Sequence, residues 1–421
     1  MTQSPVLLIL GNGGAAIHAV MASRDAGHTG PIHLVSDTSG PAFNPMLAPY
    51  FLAEKIRFED CFPFGEDFYD RHHVTCHFGS PAATLNALNK EVLLESGERL
   101  SYDRCLVATG SRPTLPSIPG LNNSPRVFTL RTPKDTIALH QALSSTKHAL
   151  VMGASMIGVK LAEILMGHGI KVTLVDVADR VMPNAAHPDC ASHLARKIRE
   201  KGVDLRLDSR LKGIEDGHKT MACHFETGQS IEADLCLVST GVKPNLDFLD
   251  PDHVELDQGI PVDERMKTNA EELYAAGDIS RGFNPVTGKK EIIGLWGNAC
   301  WQGRTAGLNM AGSDTVYPGT IPHHISSFFG LDFVHLGNIN RSGEDVKILA
   351  NRDFSGGAFY LLVFEKDILV GVNAINTISH AGSLKSAILQ KYVWSDYLDF
   401  RMKNPTDEQI DRILASFRTK N

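Results

Sequence analysis

Two glycine-rich turns occur in the chain, one in each half, and each closes an apolar run. Val6-Leu7-Leu8-Ile9-Leu10 leads into Gly11-Asn12-Gly13-Gly14-Ala15-Ala16, and Ala149-Leu150-Val151-Met152 leads into Gly153-Ala154-Ser155-Met156-Ile157-Gly158. A helical stretch, a second strand and an acid follow each turn, Asp37 in the first and Asp176 in the second. Residues of these types in this order can hold a dinucleotide. Gly11 and Gly153 allow the tight turn, Gly13 lets the backbone approach a pyrophosphate, and Ala16 and Gly158 let helix and strand pack closely. The pyrophosphate would meet free backbone N–H groups at the positive end of the helix dipole. The acids would accept hydrogen bonds from ribose hydroxyls. Ser155 replaces glycine at the middle of the second fingerprint, where its hydroxyl could donate to a phosphate. Two such units imply two dinucleotides, with electrons passed between them.

The elements that must carry these turns recur in the same order. In the first half, Asp103-Arg104-Cys105-Leu106-Val107 reads as a strand and runs into Ala108-Thr109-Gly110-Ser111-Arg112-Pro113. Its counterpart is Leu235-Cys236-Leu237-Val238, followed by Ser239-Thr240-Gly241-Val242-Lys243-Pro244. A shared fingerprint and a shared Thr-Gly-X-(Arg/Lys)-Pro close suggest a duplication in which one domain is inserted into the other. Further on, a short apolar strand ends in Gly277-Asp278, and Leu295-Trp296-Gly297-Asn298-Ala299 opens a helix. From Ile321 the pattern changes to alternating strands separated by turns such as Glu365-Lys366-Asp367, and the tail from about residue 382 reads as an amphipathic helix.

A chain of 421 residues with 43% hydrophobic content exceeds one ordinary core and suggests two or three domains. The net charge of -7 argues against nucleic acid as a main partner. The seven cysteines form no CxxC and no metal-ligand spacing, so they read as reduced, mostly buried thiols of a cytoplasmic protein. The eighteen histidines show no ligand spacing either, and no metal is expected. The first strand starts too early to leave room for a signal peptide. No apolar run reaches the ~18 residues of a membrane span.

Together these landmarks resemble the pyridine nucleotide–disulfide oxidoreductase superfamily of FAD enzymes, over nearly the whole chain. The resemblance implies an α/β fold with two Rossmann-like domains and a small α+β C-terminal domain. A discontinuous FAD domain would span residues 1–120 and 246–320, an inserted NAD(H) domain 121–245, and an interface domain 321–421. It implies FAD contacts at Gly11, Gly13, Gly14, Ala16, Asp37, Ala108, Thr109, Gly110, Arg131, Gly277 and Asp278. NADH contacts are implied at Gly153, Ser155, Met156, Ile157, Gly158, Asp176 and Gly241. Phe128-Thr129-Leu130-Arg131-Thr132-Pro133-Lys134-Asp135 and residues 295–303 resemble the branch of rubredoxin reductases, ferredoxin reductases and nitrite reductase flavin domains. Pro45 and Trp296 would then lie at the flavin, and the chain would form a homodimer.

Departures from the family pattern sharpen the expectation. Disulfide reductases carry a Cys-X4-Cys pair just after the first ribose acid, but residues 42–52 contain no cysteine. Cys61 is the nearest thiol and has Glu59 and Asp60 beside it rather than a cation. Relatives have a glutamate where Lys160 stands, and their partner lysine is replaced here by Pro49-Tyr50. Lys160 is therefore expected either as a lone cation at the flavin edge or as a helix-surface partner of Glu163 at i+3. Trp301 is expected in the core. Hydride transfer from NADH to FAD is the expected reaction, with electrons passed directly to a rubredoxin- or ferredoxin-like protein or a partner enzyme. The alternatives are an oxidase or small-molecule reductase using oxygen or a quinone, and a non-catalytic NADH-binding regulator. Asp176 favours NADH, because a carboxylate repels a 2′-phosphate.

Overall fold

The computed structural model describes residues 4–351 and 357–393, which fall into two compact units. The first comprises residues 1–112, 131–136 and 242–320; the second comprises 113–130, 137–241 and 321–421. Of the tail expected to be helical, Ala381–Gln390 is an α-helix, and residues 394–421 lie outside the described residues.

In the first unit a five-stranded parallel sheet runs in the order Leu273–Ala275, Arg104–Val107, Leu7–Leu10, Ile32–Ser36, Val74–Phe78. Its central strand Leu7–Leu10 is buried throughout, as a parallel strand covered on both faces must be. Helix Gly14–Asp25 leaves that strand and packs on helix Trp296–Met310. The two approach closely at Gly303 and Gly307, where a Cβ would fall 2.0 and 2.3 Å from the carbonyl oxygens of Ala15 and Ala19. Only glycine permits that approach, which sets the second helix directly behind the first glycine turn.

The second unit repeats the plan. Its parallel sheet runs Asp204–Arg206, Lys171–Val175, His148–Met152, Leu235–Val238, Val127–Phe128. A second sheet in this unit is antiparallel, in the order His323–Phe328, Leu331–Gly337, Ile368–Ile375, Phe359–Glu365, Val346–Ala350. Buried Asn373 ties that sheet to the loop after Lys171–Val175: its amide donates to Ala185 O at 2.8 Å, and its Oδ1 accepts from His187 N at 2.7 Å. The two parallel sheets are the Rossmann-type pair that the repeated fingerprints imply.

Candidate functional site

At the first fingerprint the strand ends, the chain turns at Gly11 and the helix begins at Gly14. Gly11 has φ +110°, and a Cβ there would lie 2.2 Å from Ala108 O. Gly13 is the N-cap residue; no side chain caps the helix, and beyond its chain neighbours no atom lies within 4 Å of where its Cβ would be. Uncapped N–H groups and open space at a helix start suit a pyrophosphate. Asp37 is exposed just past strand Ile32–Ser36, as a ribose acceptor must be. Asn12, which the sequence reading passed over, braces the turn: its amide donates to Gly40 O at 3.1 Å and its Oδ1 accepts from Tyr69 Oη at 2.7 Å.

A second set of groups converges in the same unit. Thr132 and Asp135 form a capping box, with Asp135 Oδ2 accepting from the backbone N–H of Arg131 and Thr132 and Thr132 Oγ1 accepting from Asp135 N. This cap fixes Arg131, whose Nη2 donates to Asp278 Oδ2 at 2.8 Å. Ser111 Oγ donates to the same oxygen at 3.1 Å, and Gly110 lies beside the guanidinium. Asn245 closes the adjacent strand end through its amide, which donates to Thr109 O at 2.8 Å. Trp296 packs on Gly14, with ring atoms 3.1–3.2 Å from its Cβ position. Pro45 lies in the turn closed by the Leu47 N–H on Asn44 O at 3.0 Å. An acidic acceptor on a tight turn, an arginine and an open fingerprint together fit the pyrophosphate and ribityl groups of FAD.

The second fingerprint differs in its polar detail. Gly153 has φ +104°, and Gly158 lies so close that its Cβ would meet Gly153 O. Ser155 caps helix Met156–Gly167 by accepting from Gly158 N at 3.3 Å, and its hydroxyl donates to Ser239 O at 3.0 Å. In this structure the hydroxyl's single proton is directed at the Ser239 carbonyl. Asp176 Oδ2 accepts from Ala154 N at 2.6 Å and Oδ1 from Ala178 N at 2.8 Å, so the acid also shapes the turn. Met156 is half-buried, Ile157 is exposed, and Gly241, with φ +115°, has open space around it.

Lys160 is not a lone cation. Its Nζ lies 2.6 Å from Glu163 Oε2, donates to Ser327 O and sits 5.3 Å from the centre of the Phe328 ring. Glu163 Oε1 in turn accepts from Phe329 N at 2.7 Å. Trp301 is 45% exposed rather than part of the core, with its ring edge-on to Tyr317. All seven cysteines are free. Burial raises the Cys61 thiol pKa, and Asp60 and Glu59 raise it further, so a reactive thiolate is disfavoured there. Among the described residues no three His, Cys, Asp or Glu side chains are grouped to hold a metal, and no helix is long and apolar enough to cross a membrane.

The pyridine nucleotide-disulphide oxidoreductase family matches this chain over residues 5–303. The chain is 32% identical over 391 residues to the NADH-dependent phenylglyoxylate dehydrogenase subunit epsilon of Aromatoleum evansii, covering 91% of each. It is 27% identical over 386 residues to a rubredoxin-NAD(+) reductase of Pseudomonas putida, covering 91% of this chain and 98% of that one. In fold it is similar to a chain of the covalent putidaredoxin reductase–putidaredoxin complex, with a TM-score of 0.89 at 23% identity over 99% and 100% of the two chains. With two dinucleotide turns in place and no thiol in residues 42–52, the chain belongs to the pyridine nucleotide-disulphide oxidoreductase family, as an FAD- and NADH-dependent oxidoreductase.

Proposed function

We propose that the protein takes a hydride from NADH and passes the electrons directly to a small iron–sulfur protein of the rubredoxin or ferredoxin type. FAD, when bound, supplies the step from two-electron to one-electron transfer. The chain's own residues bind and orient. The Gly11–Gly14 turn holds the pyrophosphate, Asp37 takes the adenosine ribose, and Asp278 with Arg131 takes the ribityl and phosphate groups. The second fingerprint and Asp176 hold NADH and select against a 2′-phosphate. The observation that carries this reading is an open fingerprint turn and the Arg131–Asp278 pair in one unit, in a chain without a thiol relay. Rubredoxin-NAD(+) reductases among the relatives support the acceptor class.

Anaerobic titration tests it: one NADH should bleach the flavin fully, and a reduced rubredoxin or ferredoxin should follow on mixing. No bleaching would leave a regulator with a structural flavin, and bleaching without acceptor reduction would favour the oxidase alternative. The subunit epsilon relative favours a second reading, in which the acceptor is a larger dehydrogenase that holds this chain as its NADH-oxidising subunit. Co-purification of a partner enzyme that the flavoprotein reduces would select it. The same assignment gives residues 1–120 and 246–320 to FAD, 121–245 to NADH and 321–421 to the interface of a cytoplasmic homodimer, which the mass in solution would check.

A further inference from the structure

Asp278 sits on a turn held by side chains to which the sequence pattern gave no role. Gln302, on helix Trp296–Met310, accepts from Gly277 N at 2.9 Å through Oε1, and the Ser280 hydroxyl lies 3.0 Å from the same oxygen. The Gln302 amide nitrogen and the Tyr317 ring both lie against Gly282. The Tyr317 hydroxyl donates to Asn298 Oδ1 at 2.6 Å, and Asn298 Nδ2 donates to Ile293 O at 3.0 Å. The backbone groups fix the direction of these bonds. Gly277 N–H can only donate and Ile293 O can only accept, so each amide has one orientation, and the Tyr317 hydroxyl donates to Asn298. Ser280, Asn298, Gln302 and Tyr317 are each at most 5% exposed. Both sets of hydrogen bonds close on Asp278. Gly277 precedes it, and Gly294, next to Ile293, faces its carboxylate, with a Cβ position 3.5 Å from Oδ1.

We infer that Gln302, Tyr317 and Asn298 are positioning residues, which hold the Asp278 turn so that its carboxylate meets Arg131 on one side and the ribityl end of FAD on the other. This rests on the FAD site proposed above. Buried hydrogen bonds of this kind fix one geometry, and cutting one strands its partner. These bonds touch the Asp278 end of the site and leave the Gly11–Asp37 end to its own contacts, so the two ends should respond differently.

Tyr317→Phe removes one oxygen at almost constant volume. FAD release from the full-length holoprotein is followed by recovery of free-flavin fluorescence, with ADP as competitor to read the adenosine end alone. FAD should bind roughly tenfold more weakly while the ADP inhibition constant stays within about twofold, the size expected for an orphaned buried partner acting at one end. Gln302→Met should give the same pattern, and Gln302→Glu, which keeps an acceptor for Gly277 N–H, a smaller loss. Equal weakening of FAD and ADP, or unchanged FAD binding, would overturn the assignment. If Tyr317→Phe does not fold, the contrast between Gln302→Met and Gln302→Glu decides it. Wild-type protein that retains no FAD would instead overturn the site itself.

Discussion

Arg131 and Asp278 are 147 residues apart in sequence and 2.8 Å apart in the fold, Nη2 to Oδ2. A capping box anchors the arginine, and the Gly277 turn anchors the acid. With 27% and 17% of their side chains exposed, the two form a partly desolvated, charge-assisted pair. Asp278→Ala would leave the guanidinium and the Ser111 hydroxyl without their shared acceptor and remove a ribityl partner. FAD retention should fall by about 1.5 kcal/mol, the low end for hydrogen bonds to charged groups because the pair is part-exposed, which is roughly tenfold in Kd. Fluorescence titration measures this, with Asp278→Asn expected to lose less because one acceptor oxygen remains. Equal FAD affinity in all three proteins would remove Asp278 from the site.

Asp176 does two jobs, and they separate on mutation. Its carboxylate accepts the N–H groups of Ala154 and Ala178, and in the proposed site it also takes the NADH ribose. Asp176→Ala removes the charge that repels a 2′-phosphate but also orphans the turn, at about 1–3 kcal/mol for a buried donor. Asp176→Asn keeps an acceptor and deletes the charge. Stopped-flow flavin reduction should therefore show a narrowed NADH preference in Asp176→Asn, while Asp176→Ala slows with both coenzymes. A rise in NADPH rate in Asp176→Ala, with NADH unchanged, would show that the turn does not depend on the carboxylate.

Much of this site was legible because its determinants are local. Gly11 and Gly153 follow strands directly, and their positive φ is a property of one residue. The Lys160–Glu163 pair was legible for the same reason, since i and i+3 share a helix face. The rest of that contact was not. Ser327 and Phe329 lie more than 160 residues away, and only the packing of the antiparallel sheet on helix Met156–Gly167 brings them to it. The Ser155 hydroxyl donates to Ser239 O, at the end of a neighbouring strand, a contact that the fingerprint alone does not reveal. Gln302 lies in the 295–303 segment that carries the branch resemblance, but its role and that of Tyr317 were not legible, since a buried amide and a buried ring look alike in sequence whether they fill space or aim a turn.

Acid should loosen the second unit through its histidines. His324 and His335 stack face to face, with His323 on the same strand and Lys385 Nζ 3.1 Å from His323 Nε2. Burial first, then the neighbouring histidines, lower His324 to about 4 and His335 to about 3, while the Gly337 carbonyl opposes the shift at His335. Burial also lowers His323 and Lys385. The unfolded chain binds these protons from about pH 6.5 downward, and the folded unit does not. Stability should therefore fall as pH drops from about 6.5 toward 4 for His324 and toward 3 for His335, by up to about 1.4 kcal/mol per pH unit for each ring, and flatten below those values once the folded form protonates too. Hydrogen exchange in strand Leu331–Gly337 at pH 7 and pH 5 reads this, and His335→Phe, which keeps a stacked ring, should weaken the pH dependence. An unchanged slope in that variant would mean that another group dominates acid unfolding.

Lys160→Met separates an electrostatic role at the flavin from a structural one. The side chain holds Glu163 at 2.6 Å, donates to Ser327 O and lies against Phe328, while Glu163 fixes the next turn through Phe329 N. A cation that close to a carboxylate presents a small dipole to distant groups rather than a full charge. Methionine keeps the length and the packing but strands the Ser327 carbonyl and half of Glu163. The pair is only about a quarter exposed at each side chain, so its loss should cost about 1 kcal/mol, the upper range for surface ion pairs. The flavin midpoint potential should move by less than about 10 mV, since 30 mV of a two-electron couple corresponds to about 1.4 kcal/mol and little of that loss can reach the flavin. Glu163→Gln should destabilise the same unit and leave the potential equally unchanged. A redox titration of well-folded Lys160→Met that shows a drop of several tens of millivolts would instead put the uncompensated charge of Lys160 at the flavin edge.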